Sequence, residues 1–394
     1  LGPSEKISRE EVMKAIPNLD EHQLNGGVIY YDGQFDDSRL AVNLAQTAVE
    51  NEAVVLNYMP VTGLLKDKGN LVCGVEVTDT ESGENYRVRS RVVINATGVF
   101  VDNILTMDDA GAEPLVRPSQ GIHFVLDKSF LQGDSAIMIP KTSDGRVLFA
   151  VPWHGKVVVG TTDTPLETED IHLEPRALEE EINFILTTAA QYLKKDPQKK
   201  DVLSVFAGLR PLAAQKDSQS QSTKEISRSH RLMVSLSGLI TITGGKWTTY
   251  RKMAEDTVNK AWMVGGLPER KCVTETMPIH GYVKNTRFDS PGYFYGSDRS
   301  GINAMVQAEP ELGQRLHPDY EYTRAQVVWA VRHEMARTVE DFLSRRIRML
   351  LLDARISMAM ASEVAAIMAR ELNRDSGWIQ SQVTDYQTLA KGYV

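Results

Sequence analysis

Apolar positions along this chain follow two rhythms, and the change between them organises it. Between residues 25 and 110, short apolar runs surround one helical stretch. "GGVIYYDG" predicts a strand ending at a turn. "DDSRLAVNLAQTAVENEA" places apolar residues at helical spacing behind Asp36 or Asp37 as N-cap. "VVLNYMPVTGLLKD", "NLVCGVEVTD" and "ENYRVRSRVVINATG" predict strands broken by Gly, Asn and Asp turns. Residues 120–163 read as nearly continuous strand ("GIHFVLD", "AIMIP", "RVLFAVPW", "KVVVGTTD"), with His154-Gly155 as a hairpin turn. "EPRALEEEINFILTTAAQYL" predicts a helix with Pro175 near its first turn. Strand pattern returns over 202–210 and 231–243, separated by "AAQKDSQSQSTKE", a polar surface loop. Past about residue 280 the period becomes helical through "TRAQVVWAVRHEMARTVEDFLSRRIRMLLLDARISMAMASEVAAIMARELN", with Thr323 as N-cap, so a domain boundary is expected there.

Composition narrows the function classes. At 394 residues the chain has room for two or three domains, and 42% apolar with 24% charged residues is an ordinary globular balance. A net charge of −8 argues against nucleic acid as a partner, because phosphate backbones favour a basic face. Cys73 and Cys272 are far apart and lack His or Cys neighbours at ligand spacing, which disfavours a zinc site or a disulfide framework and suits a reducing, cytoplasmic compartment. No apolar run is long enough to span a bilayer, and no signal peptide is seen. The polar start "LGPSEKISREE", without an initiator methionine, reads like the middle of something longer.

Six stretches are candidates for chemistry. In "TGGKWTTYRK", Gly244 and Gly245 allow close backbone approach, and a helix N-terminus with Lys246 beside it suits an anion or the electron-rich edge of a reduced flavin. A glycine-rich helix start with a surface lysine would look the same. "VVINATG" ends a strand at Ala96, Thr97 and Gly98, where open α/β sheets bind ligands, although a tight strand-to-helix turn explains it equally. "FAGLRPL" puts Arg210 at a strand end, where a guanidinium fork suits phosphate or carboxylate, or forms a surface salt bridge. Arg228 in "EISRSH" is unremarkable by itself. His123 alternates with Ile122 and Phe124 and so faces the other way; as general base it would need a near-neutral pKa. The arginines 332, 337, 345, 346, 348 and 355 offer either an acidic-partner or membrane surface, or lacing to Glu334, Glu340, Asp341 and Asp353; the lacing is favoured.

Together, "YYDGQFDDSRL", "VVINATG", "GTTDT", "AGLRPL", "GGKWTTYRKMAED" and "RHEMARTVEDFLSRRIRMLLLDAR" resemble the FAD-dependent glycerol-3-phosphate dehydrogenases, in order and over nearly the whole chain. The resemblance implies an α/β (α+β) fold: the remainder of a FAD-binding Rossmann-like domain (1–114 and 231–279), a β-rich antiparallel substrate-binding domain (115–230) and an all-helical C-terminal domain (280–394). Such proteins normally open with G-x-G-x-x-G, which this sequence lacks. The implication is a fragment without its leading dinucleotide-binding segment, catalytically inactive and with weak or lost FAD binding.

By the same resemblance, Gly244, Gly245, Lys246, Trp247 and Thr248 lie against the flavin, with Gly208 also on the cofactor, and Val61 with Ala96-Thr97-Gly98 lines its ADP half. Arg210, Arg228 and Lys246 hold the substrate, and His123 is the active-site histidine, with Arg210 and Lys246 beside it in catalysis. The implied reaction oxidises sn-glycerol 3-phosphate to dihydroxyacetone phosphate. Quinone is the implied acceptor, with peripheral contact to the cytoplasmic face of a membrane in the parent protein; a homodimer stays open, and no metal is implied. An oxygen-using glycerol-3-phosphate oxidase, a related flavin oxidase acting on an amine or 2-hydroxy acid, and an inert binding module remain alternatives.

Overall fold

The computed structural model describes residues 2–22, 24–139, 142, 145–213 and 230–394. Strand β1 (Glu5–Ile7) and strand β2 (Gly27–Ile29) form a ribbon on either side of helix α1 (Arg9–Ala15). Helix α2 (Asp37–Glu50) starts at Asp36, whose carboxylate accepts the Arg39 N–H at 2.9 Å, the capping the polar pair predicts. The next apolar run departs from expectation. Residues 54–60 form no strand, and Val54 and Leu56 are 86% and 65% exposed. The alternation is there, but no described strand pairs with it, and an isolated strand cannot satisfy its backbone groups. Pairing begins with β3 (Val61–Lys66), antiparallel to β4 (Val72–Thr78), which pairs β5 (Asn85–Arg89). β6 (Ile94–Asn95) and helix α3 (Val101–Asp108) follow.

The largest sheet is built on β7 (Val116–Asp127). One edge of β7 pairs β10 (Lys156–Gly160) and β11 (Thr164–Pro165), and β10 continues through β9 (Leu148–Trp153) to β8 (Ile137–Ile139). The hairpin between β9 and β10 turns on His154 and Gly155, at φ 44° and 74°, the pair of left-handed residues a two-residue turn requires. Helix α4 (Glu179–Ala190) begins later than expected: Leu178 is its N-cap and Pro175 lies ahead of the first turn. The acidic run, not the proline, starts it, because the Glu181 carboxylate reaches back to accept the Leu178 N–H at 3.1 Å. β12 (Ser204–Ala213) pairs the other edge of β7 along its whole length. Ile122, Phe124 and Leu126 of β7, with Val205 of β12 and Ile185 of α4, bury one face of this sheet in a common core.

β13 (His230–Val234) pairs antiparallel with β14 (Ile240–Gly244), which runs parallel to β6. A short turn, Trp247–Thr249, leads into helix α5 (Tyr250–Val264).

The C-terminal region is helical, as its period predicts: α6 (Arg299–Ala308), α7 (Arg324–His333), α8 (Met349–Leu352), α9 (Ala354–Leu372) and α10 (Ser376–Ala390). They share a second core, against which Trp153 and Phe206 of the large sheet also pack. The arginines of this region are laced, not displayed. Arg332 forks onto Glu371, Arg337 onto Glu81, and Arg345 spans Glu340 and Asp341. Arg348 pairs Asp37, and Arg355 donates to the Val202 carbonyl. Asp353 caps α9 by accepting the Ile356 N–H. Among the described residues no helix is long and apolar enough to cross a membrane.

Candidate active site

Register places the candidate residues on one face of β7 and β12. Phe206 lies opposite His123, Gly208 opposite Gly121, and Arg210 opposite Ser119. Side chains two apart share a face, so these six form a strip on the side away from the apolar core. The His123 and Phe206 rings stack at 5.5 Å. Two glycines make room for the long side chains. A Cβ on Gly121 would come within 2.2 Å of Arg210 Nη2, and one on Gly160 within 2.2 Å of His123 Cδ2. The Arg210 guanidinium therefore lies across bare backbone. Nη2 donates to Thr161 Oγ1 at 3.0 Å and to the Thr162 carbonyl at 2.9 Å, and Nη1 lies 3.5 Å from Asp163 Oδ1. Burial, and then the positive charge of Arg210, push the His123 imidazole down to about 4. A general base here would need a near-neutral value; burial first, and then a cationic neighbour on the same strip, hold the free imidazole below it.

At the Pro211 end of β12 lies a cavity of about 470 Å³, within the range of small-molecule sites. Ala96, Gly244, Gly245, Lys246 and Trp247 line it, joined by Tyr250 of α5 and by Pro211, the neighbour of Arg210. The parallel pairing of β6 with β14 brings "ATG" and "GGK" together, although they are far apart in sequence. Gly244 and Gly245 turn the chain at φ 73° and 72°, a conformation that favours glycine. β12 touches both β14 and the turn Gly98–Phe100. Thr97 donates to the buried Asn95 side chain at 2.8 Å, which in turn donates to the Val101 carbonyl, fixing that turn. Val61 packs instead beside Val72, Leu105 and Leu239. Thr248 sits exposed in the turn before α5. Arg228 lies outside the described residues, as does the polar loop before it.

Comparison with known proteins places this geometry. A model of FAD-dependent oxidoreductases matches residues 1–251, and one of the C-terminal domain of alpha-glycerophosphate oxidase matches residues 240–378. A mitochondrial glycerol-3-phosphate dehydrogenase of Schizosaccharomyces pombe is 34% identical, over 100% of this chain and 69% of its own. The chain belongs to the glycerol-3-phosphate dehydrogenase family of FAD-dependent oxidoreductases. A probable member from Caenorhabditis elegans is 36% identical over 97% of this chain and 56% of its own length. The Bacillus halodurans glycerol-3-phosphate dehydrogenase, solved with FAD, superposes with a TM-score of 0.80 at 26% identity, covering 98% of this chain and 79% of that one. The chain spans little more than half the length of several of the curated dehydrogenases it matches.

The residues present fit the family's cofactor. No atom lies within 4 Å of where a Cβ would sit on Gly98 or Gly208, so bare backbone faces open space on either side of β12 and its neighbouring turn. With the glycine turn and Lys246 lining the adjoining cavity, these residues would hold a flat, electron-accepting ring. Among the described residues no His, Cys, Asp and Glu cluster could hold a metal ion.

Arg39, as the partner of Glu334, and the buried Glu181 escaped the reading of the sequence, which laces Glu334 only to arginines of its own region. Arg39 and Glu334 form a buried ion pair at 2.5 Å, with Arg346 donating to the Glu334 carbonyl at 2.6 Å. Both sequence motifs were visible, but their contact spans nearly the whole chain. Glu181, one of three adjacent acids, is 5% exposed and its neighbours are solvated; helical phase against the apolar Ile182 and Ile185 was the available signal.

Proposed function

We propose that the full-length protein oxidises sn-glycerol 3-phosphate at C2 to dihydroxyacetone phosphate. The observation that carries this reading is the strip on β7 and β12, an arginine and a neutral imidazole on one face, on a strand whose Pro211 also lines the glycine-rich cavity beside Lys246. Arg210 presents a guanidinium to the phosphate dianion. His123 is neutral at pH 7 and takes the C2 hydroxyl proton as the carbonyl forms. Burial is the larger cause of the depressed imidazole and Arg210 the smaller; the bound phosphate offsets only the Arg210 charge, which raises the basicity of His123 in the substrate complex. Lys246, at the start of a helix, favours negative charge developing in the cavity. Gly244, Gly245 and Lys246 would hold FAD, which when bound would supply the hydride acceptor for C2. The acceptor in this reading is a quinone, with the protein peripheral on the cytoplasmic face of a membrane.

The test is anaerobic stopped-flow bleaching of the flavin in the full-length protein. Glycerol 3-phosphate should reduce it rapidly, and amines and 2-hydroxy acids should not. Reoxidation by a soluble quinone analogue should outpace reoxidation by oxygen. Faster reduction by a 2-hydroxy acid would overturn the substrate assignment, and faster reoxidation by oxygen the acceptor assignment.

A further inference from the structure

Arg210 is not held in place by its own strand. Its Nη2 donates to the Thr162 carbonyl and the Thr161 hydroxyl, and both residues belong to the turn between β10 and β11. That turn is fixed from below. The Thr162 hydroxyl accepts the Ile122 N–H of β7 at 3.0 Å and donates to Glu181 Oε1 at 2.7 Å. The same oxygen accepts from the Thr164 hydroxyl at 2.6 Å. Glu181 Oε2 accepts from Gln120 Nε2 at 2.8 Å and from the Leu178 N–H at 3.1 Å. One buried carboxylate thus gathers Thr162 of the turn, Thr164 of β11, a glutamine of β7 and the start of its own helix. All four donors are neutral, so among the described residues no ion pair accounts for a charged residue here, and burying a carboxylate is costly unless every lone pair is used.

We propose that Glu181 is a positioning residue for substrate binding, acting through Thr162 to hold the Arg210 guanidinium across Gly121. The proposal rests on Arg210 binding the substrate phosphate. Glu181 touches neither substrate nor cofactor. Its effect is to keep the turn rigid enough that Arg210 is preorganised rather than ordered at binding, so its loss falls on KM more than on kcat.

The experiment compares Glu181→Gln and Thr162→Val in the full-length, FAD-loaded protein, each alone and combined with Arg210→Ala. Glu181→Gln keeps the volume and can still bond the Leu178 amide, while Thr162→Val cuts the same link from its other end. Each should raise KM for glycerol 3-phosphate about tenfold with kcat changed about twofold or less, and neither should raise it further once Arg210 is alanine. Thr162→Ser should restore most of the affinity lost in Thr162→Val. An unchanged KM in the folded variants, or an increase that persists in full in the Arg210→Ala background, overturns the proposal and leaves Glu181 a purely structural residue. Should Glu181→Gln not fold, Thr162→Val alone decides between these outcomes. Wild type oxidising glycerol 3-phosphate with a KM that Arg210→Ala does not alter would instead overturn the phosphate reading of Arg210.

Discussion

Gly121→Ala tests the site with one methyl group. A Cβ at this position would lie 2.2 Å from Arg210 Nη2 and 2.7 Å from Cζ and Nη1, where ordinary contact starts at 3.4 Å. The guanidinium must therefore retreat by about 1.2 Å. The obstructing atoms are the far end of a flexible side chain, so Arg210 yields and the backbone does not. A shift of that size carries the bonds to Thr161 Oγ1 and the Thr162 carbonyl, now 3.0 and 2.9 Å, past useful length. It also moves the charge away from the phosphate. A charge-assisted hydrogen bond contributes roughly 1.5–3 kcal/mol, and a misplacement of about 1 Å costs on the order of 10²-fold. Both routes predict a fall of about one to two decades in kcat/KM for glycerol 3-phosphate. Alanine is easily accommodated in a strand, so the melting temperature should hold or rise slightly. Steady-state kinetics and thermal unfolding of the full-length protein measure the two effects separately. Wild-type kinetics in a correctly folded Gly121→Ala protein would refute a role for Arg210 at this location, and a large loss of melting temperature would refute the claim that the guanidinium is the group that moves.

Arg210→Ala should lower kcat/KM by about one to two decades, mainly through KM; a variant that loses melting temperature but keeps its kinetics would mark a structural salt bridge. His123→Ala should slow anaerobic flavin bleaching by at least ~100-fold with substrate affinity much less changed, and His123→Asn should not rescue it, because an amide accepts a hydrogen bond but not the proton. Glu334→Ala should destabilise by roughly 3–5 kcal/mol, measured by denaturant unfolding, because it strands the buried Arg39. His280 accepts or donates to Glu50 at 2.6 Å and Asp298 at 2.9 Å; burial opposes its charge, but the two acids outweigh it and raise its pKa. A raised folded pKa adds stability that is complete below the unfolded value of about 6.5 and is lost as pH rises through the folded value. The melting temperature should therefore fall from about pH 6.5 upward, and His280→Gln should flatten that slope.

How much of this was legible in the sequence depends on how local each signal was. Asp36 caps α2 and His154-Gly155 turns the hairpin because a few neighbouring residues settle both features. The alternation at Ile122, His123 and Phe124 gave the correct face for the histidine, since strand period alone decides it. Residues 54–60 misled because pattern reports only that a strand would suit them, and a partner is needed to make one. The depressed imidazole was invisible for a similar reason: it depends first on burial and then on Arg210, which register brings to the same strip. Glu181 shows the limit most clearly, as one of three identical letters in a row whose burial is decided by helix phase.

The pairing of β7 with β12 also bears on how this site tolerates change. Every functional side chain of the strip sits at an even spacing, and residues that alternate with them, Ile122 and Ala207, pack in the core on the other side. Insertion or deletion of a single residue within either strand would exchange the two sets: beyond that point in β12, Leu209 would point where Arg210 does, and a guanidinium would enter the apolar core. Point substitutions can retune this site one contact at a time, but length variation is confined to the turns. Natural and laboratory variants of the strip should therefore differ in residue identity and never in residue count between Ser119 and His123 or between Phe206 and Arg210.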